Sequence, residues 1–100
     1  METKKYRKIT IDQEIAKRAR LLALAGDEMR IRIFCFFFQY DEACVSAIAE
    51  SLGVSVNTAS HHLRMMKDNG LLASKRMGAN ICYKLVRDKF VDNLEKAICA

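Results

Sequence analysis

The chain has no proline, no tryptophan, only four glycines and no long apolar run. Without proline, helices meet no enforced break, so their ends must be read from caps and glycines. The longest unbroken apolar stretch is the six-residue run Ile33–Phe38. A membrane-spanning helix needs ~20 such residues, so none is expected. The first eight residues, METKKYRK, carry charge with no apolar stretch behind them and are not expected to act as a secretory signal. The four cysteines, Cys35, Cys44, Cys82 and Cys99, show neither C-x-x-C nor C-x-C spacing. A chain kept in a reducing compartment rarely holds structural disulfides, so these thiols are expected to be small buried hydrophobes or a sensing device.

What is present fits one domain. One hundred residues, 51% apolar and 29% charged, describe a globular chain with a single core. A chain of that size buries roughly 60–70% of its unfolded surface. The net charge of +5 hints at a polyanionic partner, and its distribution says more than its sum. Residues 1–20 carry a net +4, residues 21–53 a net −3, residues 54–87 a net +5 and residues 88–100 a net −1. The basic excess therefore sits in an N-terminal arm and in one later third of the chain.

Periodicity predicts a first helix over Asp12–Leu24, with Ile15, Ala19 and Leu22 on one face and Gly26 as its stop. Asp27 reads as the N-cap of a second helix, Glu28–Gln39, which is apolar nearly all round and so belongs in the core. A short helix over Val45–Leu52 stops at Gly53. Ser55 caps a fourth over Val56–Asn69, closed by Gly70, with Ala59, Leu63 and Met66 as its buried stripe. Leu71–Lys75 and Ile81–Val86 read as a hairpin turning at Met77–Asn80, and Asp88–Cys99 as a last helix with Phe90, Leu94 and Ile98 on one face. The Leu52-Gly-Val-Ser-Val link has helix-turn-helix spacing, and a hairpin after the second helix makes the expected fold a mainly α winged helix-turn-helix. The +5 segment coincides with that second helix and its wing, which points to double-stranded DNA.

At this point the chain resembles the ArsR/SmtB family of bacterial and archaeal winged-helix repressors, over about Leu22–Leu85. Three blocks carry the resemblance in order: LALAGDEMRIRIF, AIAESLGVSVNTASHHLRMMKDNGLL and KRMGANICYKL. The resemblance implies a cytoplasmic, nucleoid-associated repressor. It also implies a homodimer through the first and last helices (12–25 and 88–99), with 45–69 as the helix-turn-helix, 71–86 as the wing and 1–11 as a basic arm. Two such reading heads need half-sites about 10 bp apart, hence an inverted-repeat operator. Glu28 stands where the family often has proline, which should change little. Val56 stands where a base-reading glutamine is common, so operator sequence does not carry over, and Asn57 is a substitute reader because asparagine pairs bidentately with adenine.

The residues expected at DNA follow from their chemistry. Ser55, Asn57, Thr58, Ser60, His61 and His62 place short polar groups near a helix N-terminus, suited to base edges and phosphates. Arg64, Lys67, Lys75, Arg76 and Lys84 would neutralise backbone, and Asn80 would reach a minor groove from the wing tip.

No cofactor and no metal site is expected. The family's soft-metal pair C-V-C is here Cys44-Val45-Ser46, leaving one thiolate where soft metals want two or three. Its last-helix site needs histidine, and both histidines lie in the fourth helix. The sulfide- and redox-responsive members have one cysteine in the second helix and another in the last, which Cys35 and Cys99 match. These two are the favoured effector-sensing pair, with Cys44 a lesser candidate and Cys82 a packing residue. The effector classes implied are reactive sulfur species, oxidants and arsenite. An enzyme is the weakest reading, because no phosphate loop, paired-carboxylate motif or metal cluster is present. The rivals from other classes are a winged-helix protein-interaction module or anti-repressor, and a sequence-indifferent chromatin protein gripping DNA through Lys4–Lys8.

Overall fold

The computed structural model describes residues 5–10 and 12–99, so part of the basic arm, including Lys4 and Ile11, lies outside the described residues. Residues 5–10 are exposed and adopt no regular structure. Five helices and three strands follow: α1 (Gln13–Ala25), α2 (Glu28–Gln39), β1 (Glu42–Cys44), α3 (Val45–Leu52), α4 (Val56–Asp68), β2 (Leu72–Met77), β3 (Asn80–Leu85) and α5 (Lys89–Ile98). Among the described residues no helix is long and apolar enough to cross a membrane.

Side-chain caps start four of the helices. Asp12, Asp27, Ser55 and Asp88 each accept from the backbone N–H three residues on. Such a cap satisfies one of the donors that a helix start leaves open, worth about 1 kcal/mol. The exception is α3. Its N-cap is Cys44, whose side chain makes no capping bond. Between α3 and α4 the chain turns at Gly53, in the left-handed region at φ 70°. The Val54 N–H donates to the Ala49 carbonyl there, closing the helix end.

The core forms around α2. Its Ile33, Phe34 and Phe37 are buried together with Ile48 and Leu52 of α3, Leu63 and Met66 of α4, Leu72 and Leu85 of the sheet, and Val91 of α5. Arg30 and Arg32 extend from the same helix to cap others: Arg30 donates to the Leu24 carbonyl of α1, and Arg32 to the Leu52 carbonyl of α3, both at 2.8 Å. These two bonds fix the central helix against its neighbours on both sides.

The hairpin turns between Met77 and Asn80, as expected, with Gly78 at φ 64°. The sheet, however, has three strands in the order β1-β3-β2. The third strand, β1, lies antiparallel to β3 with Glu42 opposite Lys84, Ala43 opposite Tyr83 and Cys44 opposite Cys82. It ties the wing to the start of α3. Boundaries shift by a residue or two elsewhere: Asp12, Asn69, Asp88 and Cys99 are caps rather than helical residues, and β2 runs on to Met77.

The α1 stripe of Ile15, Ala19 and Leu22 is not packed into this core. Ile15 is 43% and Leu22 59% exposed, and Ala19 is exposed as well. Leu24 and Ala25 are the residues of α1 that are buried.

Candidate nucleic-acid interface

The buried stripe of α4 decides which of its side chains remain outside. Ala59, Leu63 and Met66 fall on the core side, so Asn57, Thr58, His61, Arg64 and Lys67 emerge on the opposite face, all exposed. Ser55 is exposed just before them and acts as the cap, accepting from the Thr58 N–H at 3.1 Å while its hydroxyl donates to the Thr58 hydroxyl at 3.0 Å. Ser55 is therefore committed to holding the helix start. Ser60 and His62 are half-buried and flank the face instead of standing at its centre. The His61 and His62 rings pack edge to face with centroids 5.5 Å apart, and His62 keeps a buried Nδ1 without a hydrogen-bond partner among the described residues.

The wing supplies the second part of this surface. Lys75, Arg76, Asn80 and Lys84 are all exposed, with Asn80 at the hairpin turn. Ion pairing separates the basic residues of 54–87 into two groups. Lys75 reaches Glu42 of β1 at 3.2 Å, and Arg87 reaches Glu95 at 2.7 Å and Asp92 at 3.4 Å. Among the described residues, Arg64, Lys67, Arg76 and Lys84 form no ion pair. The positive field that faces outward is thus carried by four cations, two on α4 and two on the wing. Tyr83 joins these parts: it is buried between the wing and α4, and burial pushes its hydroxyl pKa up, with Arg64 lowering it and Asp68 raising it.

The cysteines separate into two pairs. Cys44 and Cys82, opposite each other across β1 and β3, are joined by a disulfide. This corrects the expectation of four free thiols, and the role of Cys82 as a packing residue alone: it is buried, and it is also bonded. Sequence spacing could not reveal the pair, since four cysteines allow three connectivities. Cys35 and Cys99 are free thiols, the first half-buried and the second exposed. They are neighbours: burial pushes the Cys35 pKa up, and the nearby Cys99 thiol adds to the shift. Among the described residues no group of three or more His, Cys, Asp or Glu is placed to hold a metal ion.

A groove of about 660 Å³ runs between α1 and α5, floored by Leu21, Leu22, Phe90, Leu94 and Ala97 and edged by Glu14, Lys17, Arg18 and Lys89. There Leu22 of the exposed α1 stripe meets the half-buried Phe90 and Leu94 of α5.

Comparison with known proteins follows the same division. Residues 27–74, from the α2 cap to the middle of β2, match the model of the bacterial regulatory protein, arsR family. The cadmium resistance transcriptional regulatory protein CadC of Listeria innocua is 32% identical over 75 residues, which is 75% of this chain and 63% of that protein. This chain therefore aligns with less than two thirds of that relative's length. Among solved structures, HlyU from Vibrio cholerae superposes with a TM-score of 0.78 at 22% identity, covering 90% of this chain and all of that one, a likeness of fold. The homodimeric winged helix-turn-helix DNA-binding domain (fragment 1–100) of Mb0332 from Mycobacterium bovis has a TM-score of 0.72 at 26% identity, over 93% of this chain and 87% of that one.

Proposed function

Residues 27–74 form a helix-turn-helix domain of the bacterial arsR regulatory family, and from that premise we propose that the chain is a dimeric, operator-binding transcriptional repressor released by thiol chemistry. The observation that carries this reading is the continuity of the α4 face with the wing. Asn57, Thr58 and His61 present exposed hydrogen-bonding groups in the first two turns of α4. Arg64 and Lys67 on the same helix and Arg76 and Lys84 on the wing are exposed and, among the described residues, form no ion pair. Polar groups and unpaired cations on one helix and its wing divide the work that duplex DNA requires, reading of bases and positioning on phosphates.

The second copy would sit in the α1–α5 groove. Burying Leu21, Leu22, Phe90 and Leu94 there removes apolar surface that the monomer leaves wholly or partly in water. A two-fold axis through that groove presents two α4 helices, so the operator is an inverted repeat with half-site centres about 10 bp apart. A protein doing this work belongs in the cytoplasm, at the nucleoid.

Release is assigned to Cys35 and Cys99. One lies on the central helix and the other at the end of the dimer helix, so linking them or capping them with sulfur changes the packing between α2 and α5. Reactive sulfur species and oxidants fit a pair of neighbouring thiols. Arsenite would need the same two sulfurs or a third from elsewhere.

The test is a salt titration of binding to DNA from the chain's own promoter, against a scrambled duplex. About eight phosphates neutralised per dimer predict a log–log slope near −7 and clear preference for an inverted repeat. Binding that ignores salt, or that treats the scrambled duplex equally, would overturn the repressor reading.

A further inference from the structure

The disulfide between Cys44 and Cys82 lies outside the effector pair and joins two parts with different tasks. Cys44 is at once the last residue of β1 and the N-cap of α3, the first helix of the helix-turn-helix. Cys82 is at the centre of β3 and 1% exposed, opposite Lys75 of β2 on one side and Cys44 on the other. The bond therefore fastens the wing to the start of the DNA-reading motif. Beside it run the short β1–β3 ladder and the exposed Lys75–Glu42 pair at 3.2 Å. Exposed pairs of this kind contribute at most about 1 kcal/mol, so the covalent link is the stronger constraint on a strand of only three residues.

We propose that Cys44 and Cys82 form a thiol–disulfide exchange site for low-molecular-weight disulfides, whose oxidation state sets how firmly the wing is held and hence how tightly DNA is bound. The proposal rests on the repressor reading for its DNA consequence alone. Chemically, the two cysteines have distinct parts. Cys44 is half-buried at the start of α3 while Cys82 is almost fully buried, so a small disulfide reaches the Cys44 sulfur first. The Cys44 thiolate attacks one sulfur of the small disulfide, forming a mixed disulfide and expelling one thiolate, which takes up a proton. The Cys82 thiol then loses its proton and attacks Cys44 Sγ, expelling the second small thiol. Two protein thiols are oxidised and one small disulfide is reduced to two thiols. Cys82 is shielded from solvent, so it acts only through Cys44, and the register that puts the two opposite each other makes the second step intramolecular.

The linked state has its wing pre-organised against α3 and α4, so less ordering is left to do when DNA binds. Reduction leaves β1 held by its short ladder and the Lys75–Glu42 pair.

The test uses the full chain, reduced and then treated with oxidised glutathione. A chymotryptic digest cuts between Cys35 and Cys44, after the aromatic residues of 36–40, and so tells the two pairs apart by mass. The expected product is a peptide pair linked through Cys44 and Cys82. Amide hydrogen exchange over residues 42–44 and 80–85 should slow several-fold on oxidation, and the Cys44→Ser variant should exchange at the reduced rate under both conditions. Promoter DNA should bind the oxidised protein about fivefold or more tightly than the reduced protein. A glutathione adduct that persists on Cys44 without linking to Cys82, or exchange and DNA affinity that are the same in both states, would overturn the proposal. Linkage and slowed exchange without DNA binding in either state would uphold the exchange site and refute the repressor reading.

Discussion

Arg32 on α2 donates to the carbonyl of Leu52, the last residue of α3, at 2.8 Å across twenty residues of sequence. The bond satisfies one of the open carbonyls at a helix end and does so with a charged donor. It fixes the angle at which the helix-turn-helix leaves the core. Replacing Arg32 with Met keeps much of the stem and removes the donor. Denaturant unfolding should show a loss of about 1–2 kcal/mol, with the slope against denaturant unchanged.

Gly53 makes the turn that follows, at φ 70° with open space where a side chain would stand. The obstacle to substitution is therefore backbone conformation and not crowding. Gly53→Ala should cost about 1–2 kcal/mol, seen as a lower melting temperature by several degrees for a domain of this size.

The unpaired cations and the polar readers should fail in different ways. Arg64→Ala or Lys84→Ala should weaken binding to all sequences alike and reduce the salt slope by about 1 for each phosphate no longer neutralised. Asn57→Ala should instead relax preference at one base position, worth about 1–3 kcal/mol, with the slope kept. Fluorescence anisotropy with single-base operator variants at several salt concentrations separates the two patterns.

Leu22, exposed on α1 beside the groove, is the point at which to disturb the second copy. Leu22→Glu should leave the monomer folded, because the side chain is outside its core, while shifting sedimentation toward the monomer. Operator affinity should fall with it, since one reading head contacts half of the site.

Thirty-three residues of this chain, 53–85, were legible almost to the residue: the glycine turn, the Ser55 cap, the buried stripe of α4 and the hairpin all announce themselves through local chemistry. β1 was not. Glu42-Ala43-Cys44 is too short for any alternation to register, and its stability comes from pairing with residues about forty positions away. The Cys44–Cys82 link escaped for the same reason, since register is a property of two strands and neither shows it alone. Ion pairing was also hidden: Lys75 and Arg87 count as positive in sequence, yet acids on β1 and α5 occupy them. Reading charge by segment counted both as free and so overstated the positive surface.

Cys35 offers a prediction in pH. Burial first, and the neighbouring Cys99 second, push its thiol pKa above the usual cysteine range. The folded state therefore holds this proton more tightly than the unfolded chain does. Its contribution to stability is complete below the unfolded thiol's pKa and disappears as pH rises through the folded one. Site-resolved alkylation against pH should give Cys35 a midpoint above that of an exposed cysteine, and Cys99→Ala should bring that midpoint down.

Arg87 sits in the three-residue link between β3 and α5, gripping Glu95 and Asp92 while its guanidinium lies 5.4 Å above the Phe38 ring. A link so short, with its middle residue held to α5, couples the helix to the wing more as a crank than as a hinge. Only three residues separate the last wing strand from α5, so a rotation of α5 has little chain through which to be absorbed before it reaches the wing.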